Sequence, residues 1–526
     1  MRNFYDARFA VPCVLLLVLL MTACEPNRVQ LENLRPGTAD WEITNLVTPT
    51  DWNLIDPGRT TQSNAEIEGY ASATSVNIGE DILFYVNSRD PYVIEFFRMG
   101  WYEGLGARKM RPEIYNDGSN IQAPCLHDAQ THRIECDWIR PNLLTVPDDW
   151  VSGIYLARLN NRQTGHQSYI HFVVRDDARP AAFLFQASVT TYQAYNRWGG
   201  YNLYPHGGGR EPAIEVSFDR PYDQGYGSQG HEGAGDFLLW EINMLRWLER
   251  AGYDVTYATN IDVHRDPSLL NNRRAFLSVG HDEYWSEAMR DHVEAARDQC
   301  VSLGFFSANT AFWRIRLEPN YEGIPNRTIF TRKEETCGID PETGLWRTGC
   351  PGVEARPEDA LIGVMFDDPI HGDNDIVVTN TDHWAFEGTG LQPGDRLLGV
   401  LGYETDRLFG NAPADIVTLG ESPVCPASCS GRTTPDCAET ISEPCVCDPT
   451  GDGGPQGVSH MTVYETAEGS AVFATGSIQW SWGLDDYESS WDTTPHCPRA
   501  QPAVRQITRN VLTRFMISPC SPPGLP

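Results

Sequence analysis

The chain has 526 residues, enough for about three domains at roughly 150 residues each, with 40 Lys and Arg against 71 Asp and Glu and a formal net charge of −31. So acidic a surface repels a phosphate backbone and argues against nucleic acid as a partner. Hydrophobic residues at 41% and aromatics at 11%, with 15 Trp, exclude a disordered chain despite the charge.

Residues 1–23 carry Arg2 and Arg8, then an apolar run from Val14 to Leu20. That run is far short of the roughly 20 apolar residues a bilayer requires, so a signal peptide is expected rather than a spanning helix. Met21-Thr22-Ala23-Cys24 is similar to a bacterial lipobox. Cleavage before Cys24 and lipidation of its thiol follow, with residues 24–50 as a tether. The chain is then exported and held in the cell envelope by lipid alone, on the periplasmic or outer face. An ordinary signal peptide with an incidental Cys is the alternative.

Setting aside Cys13 and Cys24 leaves 12 of the 14 cysteines, an even number in a compartment that permits disulfides. Cys125 with Cys136 and Cys337 with Cys350 are short-range candidates. Cys425, Cys429, Cys437, Cys445 and Cys447 crowd a stretch rich in Pro, Ser, Gly and Thr, which reads as a disulfide-stapled surface excursion. A zinc site is the sharper alternative, but the spacing fits no usual finger or ribbon.

Residues 51–177 read as a β-sandwich. Short strand signals at Asp81–Asn87, Tyr92–Phe97, Gly153–Arg158 and Tyr169–Val174 are separated by Gly, Pro, Asn and Asp without helical periodicity. Arg175–Pro180 is a plausible joint. From 178 to 526 the pattern becomes α/β, beginning with a buried strand at Ala182–Phe185. Asp236–Ala251 reads as a helix with Phe237, Leu238, Ile242, Leu245 and Leu248 on one stripe. Strands follow at Asp254–Ala258, Ala275–Val279 and Val301–Phe306, with a helix over Ser286–Gln299. A late strand at Ala471–Thr475 and a terminal helix through Val504, Ile507, Val511, Leu512 and Phe515 complete the domain. Such alternation implies a mainly parallel sheet of flavodoxin-like or glutamine-amidotransferase-like type, with ligands at the carboxyl ends of its strands. A loop-rich insertion over 319–380 and a Cys-rich one over 411–460 are expected.

Four clusters bear chemistry. Gly280-His281-Asp282-Glu283-Tyr284-Trp285-Ser286 lies between a buried strand and a helix, where His281 and Glu283 can face one ligand. Helix capping by Asp282 or Glu283 is the bland reading. Asn309 in Ser307-Ala308-Asn309 follows the neighbouring strand and can bring an amide near His281, although Asn also simply turns loops. Thr191-Tyr192-Gln193-Ala194-Tyr195-Asn196-Arg197-Trp198 reads as either a site or an aromatic packing loop. Ser217-Phe218-Asp219-Arg220-Pro221-Tyr222 says little alone. Familiar alternatives fail: His206-Gly207-Gly208-Gly209 suggests an esterase oxyanion loop, but no G-x-S-x-G exists. H-E-x-x-H, the P-loop and a strand-following G-x-G-x-x-G are also missing. Asp367, Asp368, Asp373 and Asp375 lack EF-hand spacing and read as a solvated loop.

Taken together, T-Y-Q-A-Y-N-R-W-G-G, F-D-R-P-Y, G-H-D-E-Y-W-S, S-A-N, L-G-Y-E-T-D and T-G-S-I-Q-W resemble the catalytic C-terminal domain of the N,N-dimethylformamidase large subunit family, from about Arg179 onward. G-Y-A-S-A-T-S-V and F-R-M-G-W-Y-E-G-L-G-A-R look like its accompanying β-sandwich. The resemblance implies a single iron held by two tyrosines and a glutamate. It assigns Glu283 as the carboxylate ligand, with Tyr195 and Tyr222 as the phenolates and Tyr192 and Tyr226 as their rivals. It also implies catalytic roles for His281 and Asn309, and a further site carboxylate at Glu404. The expected activity is hydrolysis of a C–N bond in a small linear amide, giving an acid and an amine, with iron activating water. Export and the Cys-rich insertion depart from the cytoplasmic members of the family, which pair with a small subunit. A homo-oligomer is left open. The rival expectation is a non-catalytic surface lipoprotein whose β-sandwich binds a glycan or a protein.

Overall fold

A computed structural model describes residues 26–47, 65–205, 211–224, 232–367, 374–424, 457–488 and 500–517. The leader and Cys24, the oxyanion-like His206–Gly209, Tyr226, Asp368, Asp373 and the cysteine cluster from Cys425 to Cys447 lie outside these residues.

Two antiparallel-rich sheets come first. Ile67–Ala71, Asp81–Ser88 and Asn142–Thr145 form a three-stranded sheet. Ser75–Asn77, Gln167–Arg175, Gly153–Asn161, Tyr92–Met99 and Ala107–Asn116 form a five-stranded one, in that spatial order. Their facing sides share a core in which Phe84 meets Phe96 and Phe172, each at 5.3 Å between ring centroids, and Trp150 stacks on Tyr155 at 4.8 Å.

The opposite face of the five-stranded sheet is also covered. Phe97, Leu156 and Tyr169 belong to one core with Phe185, Leu245 and Tyr257 from the later part of the chain. A strand covered on both faces cannot alternate apolar with polar, and Gly153–Asn161 is accordingly buried at nearly every position. The charges trapped there are matched: the Arg98 guanidinium donates to both Glu249 carboxylate oxygens at 2.7 and 2.9 Å, with neither side chain exposed.

The second unit is built on a seven-stranded mixed sheet. Its spatial order is Val255–Thr259, Phe183–Ala187, Ala275–His281, Ser302–Ala308, Ala471–Ala474, Gly457–Glu465 and Val417–Val424. The first five run parallel and the last two extend the sheet antiparallel. The chain is thus a mixed α/β protein. Val417–Val424 and the start of Gly457–Glu465 lie within 411–460, the segment expected only as an excursion, so part of it is integral to the sheet. Val417–Val424 gives little sign of this in sequence because Gly420 and Pro423 interrupt its pattern.

Helices fill both sides. Ile242–Arg250 is preceded by a π-helical turn at Phe237–Glu241 where one continuous helix was expected. Glu287–Asp298 is capped by Ser286, whose hydroxyl accepts from the Met289 amide at 3.2 Å. Asp282 and Glu283 therefore do not cap this helix. The terminal helix Pro502–Met516 buries the five apolar residues expected of it. The disulfides Cys125–Cys136 and Cys337–Cys350 are both present. No helix among the described residues is long and apolar enough to cross a membrane.

Candidate active site

The strand Ala275–His281 ends on Gly280, whose φ of +70° suits glycine; a Cβ there would lie 2.4 Å from that of Trp240. This tight exit turns His281, Asp282 and Glu283 across the carboxyl edge of the sheet. Asp282 points inward and is consumed by structure, accepting from Asn260 at 2.9 Å, Gln186 at 2.7 Å and Ser278 at 2.9 Å. Glu283 faces the other way. Its backbone is pinned on both sides, the amide donating to the Thr191 hydroxyl at 2.9 Å and the carbonyl accepting from the Trp313 amide at 3.0 Å.

Two tyrosines meet this carboxylate, and a third meets them. Tyr195, at the end of the helix Val189–Tyr195, donates to Glu283 Oε2 at 2.8 Å. Tyr204 lies 2.6 Å from the Tyr195 hydroxyl and 3.0 and 3.1 Å from the two Glu283 oxygens. Tyr284 donates to Tyr204 at 2.7 Å. The Tyr195 and Tyr204 rings stack at 4.4 Å, and burial raises both hydroxyls well above the ordinary phenol range.

Around these oxygens stand the other groups. His281 Nε2 is 3.4 Å from Glu283 Oε2 and 3.4 Å from Asn309 Nδ2. Burial lowers the imidazole to about 3, so it is held neutral. Asn309 follows the neighbouring parallel strand in a left-handed turn at φ +50°, its amide fixed by Asp406 at 2.8 Å. Its Oδ1 and the Glu404 Oε2 are buried without a hydrogen-bond partner. Burial, with Glu283 and Asp406 nearby, raises the Glu404 carboxyl well above its ordinary value. Lys333 supplies the local positive charge, its ammonium 3.1 Å from the Tyr204 ring centroid. Desolvation brings it down to about 8 against the upward pull of Glu283 and Glu404.

Five of the residues singled out in sequence, Tyr195, His281, Glu283, Asn309 and Glu404, are thus brought together. Tyr222 is not. Its ring lies 6.4 Å from that of Tyr192, whose hydroxyl is committed to Glu241, and its charged neighbours are Asp236, Arg327, Arg220 and Glu241. Tyr204 occupies the place expected for a second phenol. Sequence reasoning passed over Tyr204 and Lys333, since neither belongs to a strand-end motif. The one available signal for Tyr204 was its position nine residues after Tyr195, beyond the turn Trp198–Gly200.

No three His, Cys, Asp or Glu side chains among the described residues converge to hold a metal. The donor set here is instead two phenols and one carboxylate, at the carboxyl edge of a mainly parallel sheet where α/β proteins place their ligands. A mixed α/β protein with an oxygen-rich, buried strand-end site is the class that fold and geometry define. The chain belongs to the family described as N,N-dimethylformamidase beta subunit-like, C-terminal, whose family model matches residues 93–495. The match starts well before residue 179, inside the five-stranded sheet, so the family relationship takes in part of the β-region as well. The chain is 23% identical over 450 residues to the N,N-dimethylformamidase beta subunit of Paracoccus aminophilus, covering 73% of this chain and 55% of that one. It is 22% identical over 465 residues to the same subunit from Alcaligenes sp., with the same two coverages. The chain spans about half the length of these curated relatives.

Proposed function

We propose that this protein hydrolyses the C–N bond of a small linear amide at the Glu283 cluster, with a single iron held by Tyr195, Tyr204 and Glu283. The observation that carries the reading is the convergence of those three side chains, with oxygens 2.6–3.1 Å apart. Phenolates and a carboxylate are hard oxygen donors suited to oxidised iron, and three protein ligands leave room for water and substrate. Such an ion polarises an amide carbonyl and lowers the pKa of a nearby water. Tyr204 replaces Tyr222 in this assignment.

The remaining residues divide the work by their environments. His281, neutral through burial, accepts a proton at Nε2 and passes it to the departing amine. Asn309 donates from Nδ2 to the oxygen that gains charge, while its unpartnered Oδ1 is free to accept from substrate or water. Glu404, whose carboxyl burial and the neighbouring carboxylates push up, offers its unpartnered Oε2 to substrate or water. Lys333 balances the negative charge that Glu283 and the phenolates bring into a dry site.

The wider reading has support of its own. Counting only parallel strands, the sheet order is 2-1-3-4-5, the flavodoxin-like doubly wound order, which supports that layout for 178–526 after a β-sandwich domain at 51–177. The disulfides Cys125–Cys136 and Cys337–Cys350 support export, and Cys24 is proposed as the lipid anchor. The test is amine release from a panel of N-methylated formamides and acetamides. Wild-type protein should turn over at least one, and both Glu283→Ala and His281→Gln should abolish that turnover. A panel with no amine released overturns the amidase assignment.

A further inference from the structure

Phe218, Arg220 and Tyr222 of F-D-R-P-Y line a small cavity between the two units, remote in contacts from Glu283. Its floor is the sandwich strand Ile67–Ala71, and its walls include His171, Val189, Phe218 and Arg220, around a volume of about 30 Å³. We propose that this cavity is a binding site for a small monovalent anion, a halide or a one-carbon carboxylate.

The argument rests on a buried cation that no carboxylate contacts among the described residues, Asp223 acting on it only at longer range. Arg220 is 2% exposed, yet among the described residues its guanidinium reaches only backbone carbonyls: Trp198 and Tyr201, each at 2.9 Å, and Asn196 at 3.2 Å. Its Nε has no partner. Other buried arginines of the same interface are neutralised: Arg98 by Glu249, Arg175 by Asp262, and Arg327, on the same cavity, by Asp219. A buried charge is otherwise paired or ligand-bound, because removing it from water is costly.

A second unpartnered group lines the same space. His171 Nε2 is buried without a hydrogen-bond partner, wedged between the rings of Tyr192 and Phe237. In its Nε2–H tautomer it is a second donor beside the guanidinium. One cation and one neutral donor match a single negative charge and leave a divalent anion under-compensated. The volume matches an occupant of about two or three heavy atoms, since one water needs roughly 10–15 Å³ of the same measure.

Occupancy has a structural consequence. The carbonyls that Arg220 holds, from Asn196 to Tyr201, lie on the segment joining Tyr195 to Tyr204. Neutralising the guanidinium therefore steadies the clamp on the loop that carries both phenols. This holds whatever the reaction at Glu283.

Thermal unfolding of the full chain in sodium gluconate, whose anion is too large for the cavity, decides the matter. Chloride, formate, acetate and sulfate are titrated in at constant ionic strength. A saturable rise in melting temperature with chloride or with formate, absent with acetate and sulfate, is expected, as for any ligand that binds only the folded state. The more effective of the two identifies the anion class. Arg220→Met should abolish the saturable rise, as should Ala73→Leu, which fills the cavity and leaves Arg220 in place, so a folding failure of the first variant does not end the test. A wild-type protein that responds alike to all four salts, or a saturable response retained in either variant, overturns the proposal.

Discussion

Tyr204 and Tyr195 touch through their hydroxyls at 2.6 Å, and both reach the same Glu283 carboxylate. Three phenolic protons complete a chain from Tyr284 through Tyr204 and Tyr195 to Glu283. None of them then remains for the 3.0 Å contact between the Tyr204 oxygen and Glu283 Oε1. Burial also raises the Glu283 carboxyl, so a proton on that group would close the contact in the metal-free cluster, and the proposed iron would take the place of such protons.

The seam between the two units is held by the Arg98–Glu249 pair. Arg98→Met leaves the Glu249 carboxylate buried with only Asn33 and Tyr257 as side-chain donors, and should cost about 3–5 kcal/mol of stability. The double variant Arg98→Met with Glu249→Leu should recover most of that loss. A double-mutant cycle by urea denaturation measures it, and additive single effects would show that the pair is uncoupled.

The disulfide Cys125–Cys136 closes a loop with a sequence separation of 11. Replacing both cysteines by Ser should lower stability by roughly 2–3 kcal/mol through the entropy returned to the unfolded chain. Denaturant midpoints of the variant and the oxidised wild type give the difference. Equal midpoints would place the stabilisation elsewhere.

Burial raises Glu241 from 4.5 to about 8, against hydrogen bonds from Tyr192 and the Ser188 amide that favour its charged form. The folded state therefore binds a proton that the unfolded state has released. The stability this contributes is fully present below pH 4.5 and is lost as pH rises toward 8. His171, lowered to about 3, acts oppositely in acid, so the informative quantity is the difference between wild type and Glu241→Gln. That difference should fall across the window with a slope approaching about 1.4 kcal/mol per pH unit. A flat difference would mean that Glu241 is ionised in the folded protein.

Much of this was legible in sequence because burial and chain order coincide. Ala275–Val279 and Val301–Phe306 are apolar runs broken only by a serine each and a glycine, so the residues just past them, His281, Glu283 and Asn309, had to emerge at one sheet edge. Glu404 was reached through a motif. Tyr204 and Lys333 were not legible, since both arrive on irregular backbone whose path depends on tertiary contacts. Tyr222 lies apart from the Glu283 cluster although its motif, F-D-R-P-Y, is distinctive, because that motif carries the buried Arg220 and lines its cavity. The antiparallel edge of the sheet escaped because it is assembled from two strands separated by a long Cys-rich stretch.

The central claim is that Tyr195, Tyr204 and Glu283 hold iron, and metal content read together with visible absorption tests it most directly. Wild-type protein should carry about one equivalent of iron and show the visible band of a phenolate bound to an oxidised ion. Tyr204→Phe and Glu283→Ala should lose the band and most of the metal, and Tyr222→Phe should keep both. Stoichiometric zinc, no metal at all, or a band lost in Tyr222→Phe and kept in Tyr204→Phe would contradict the account.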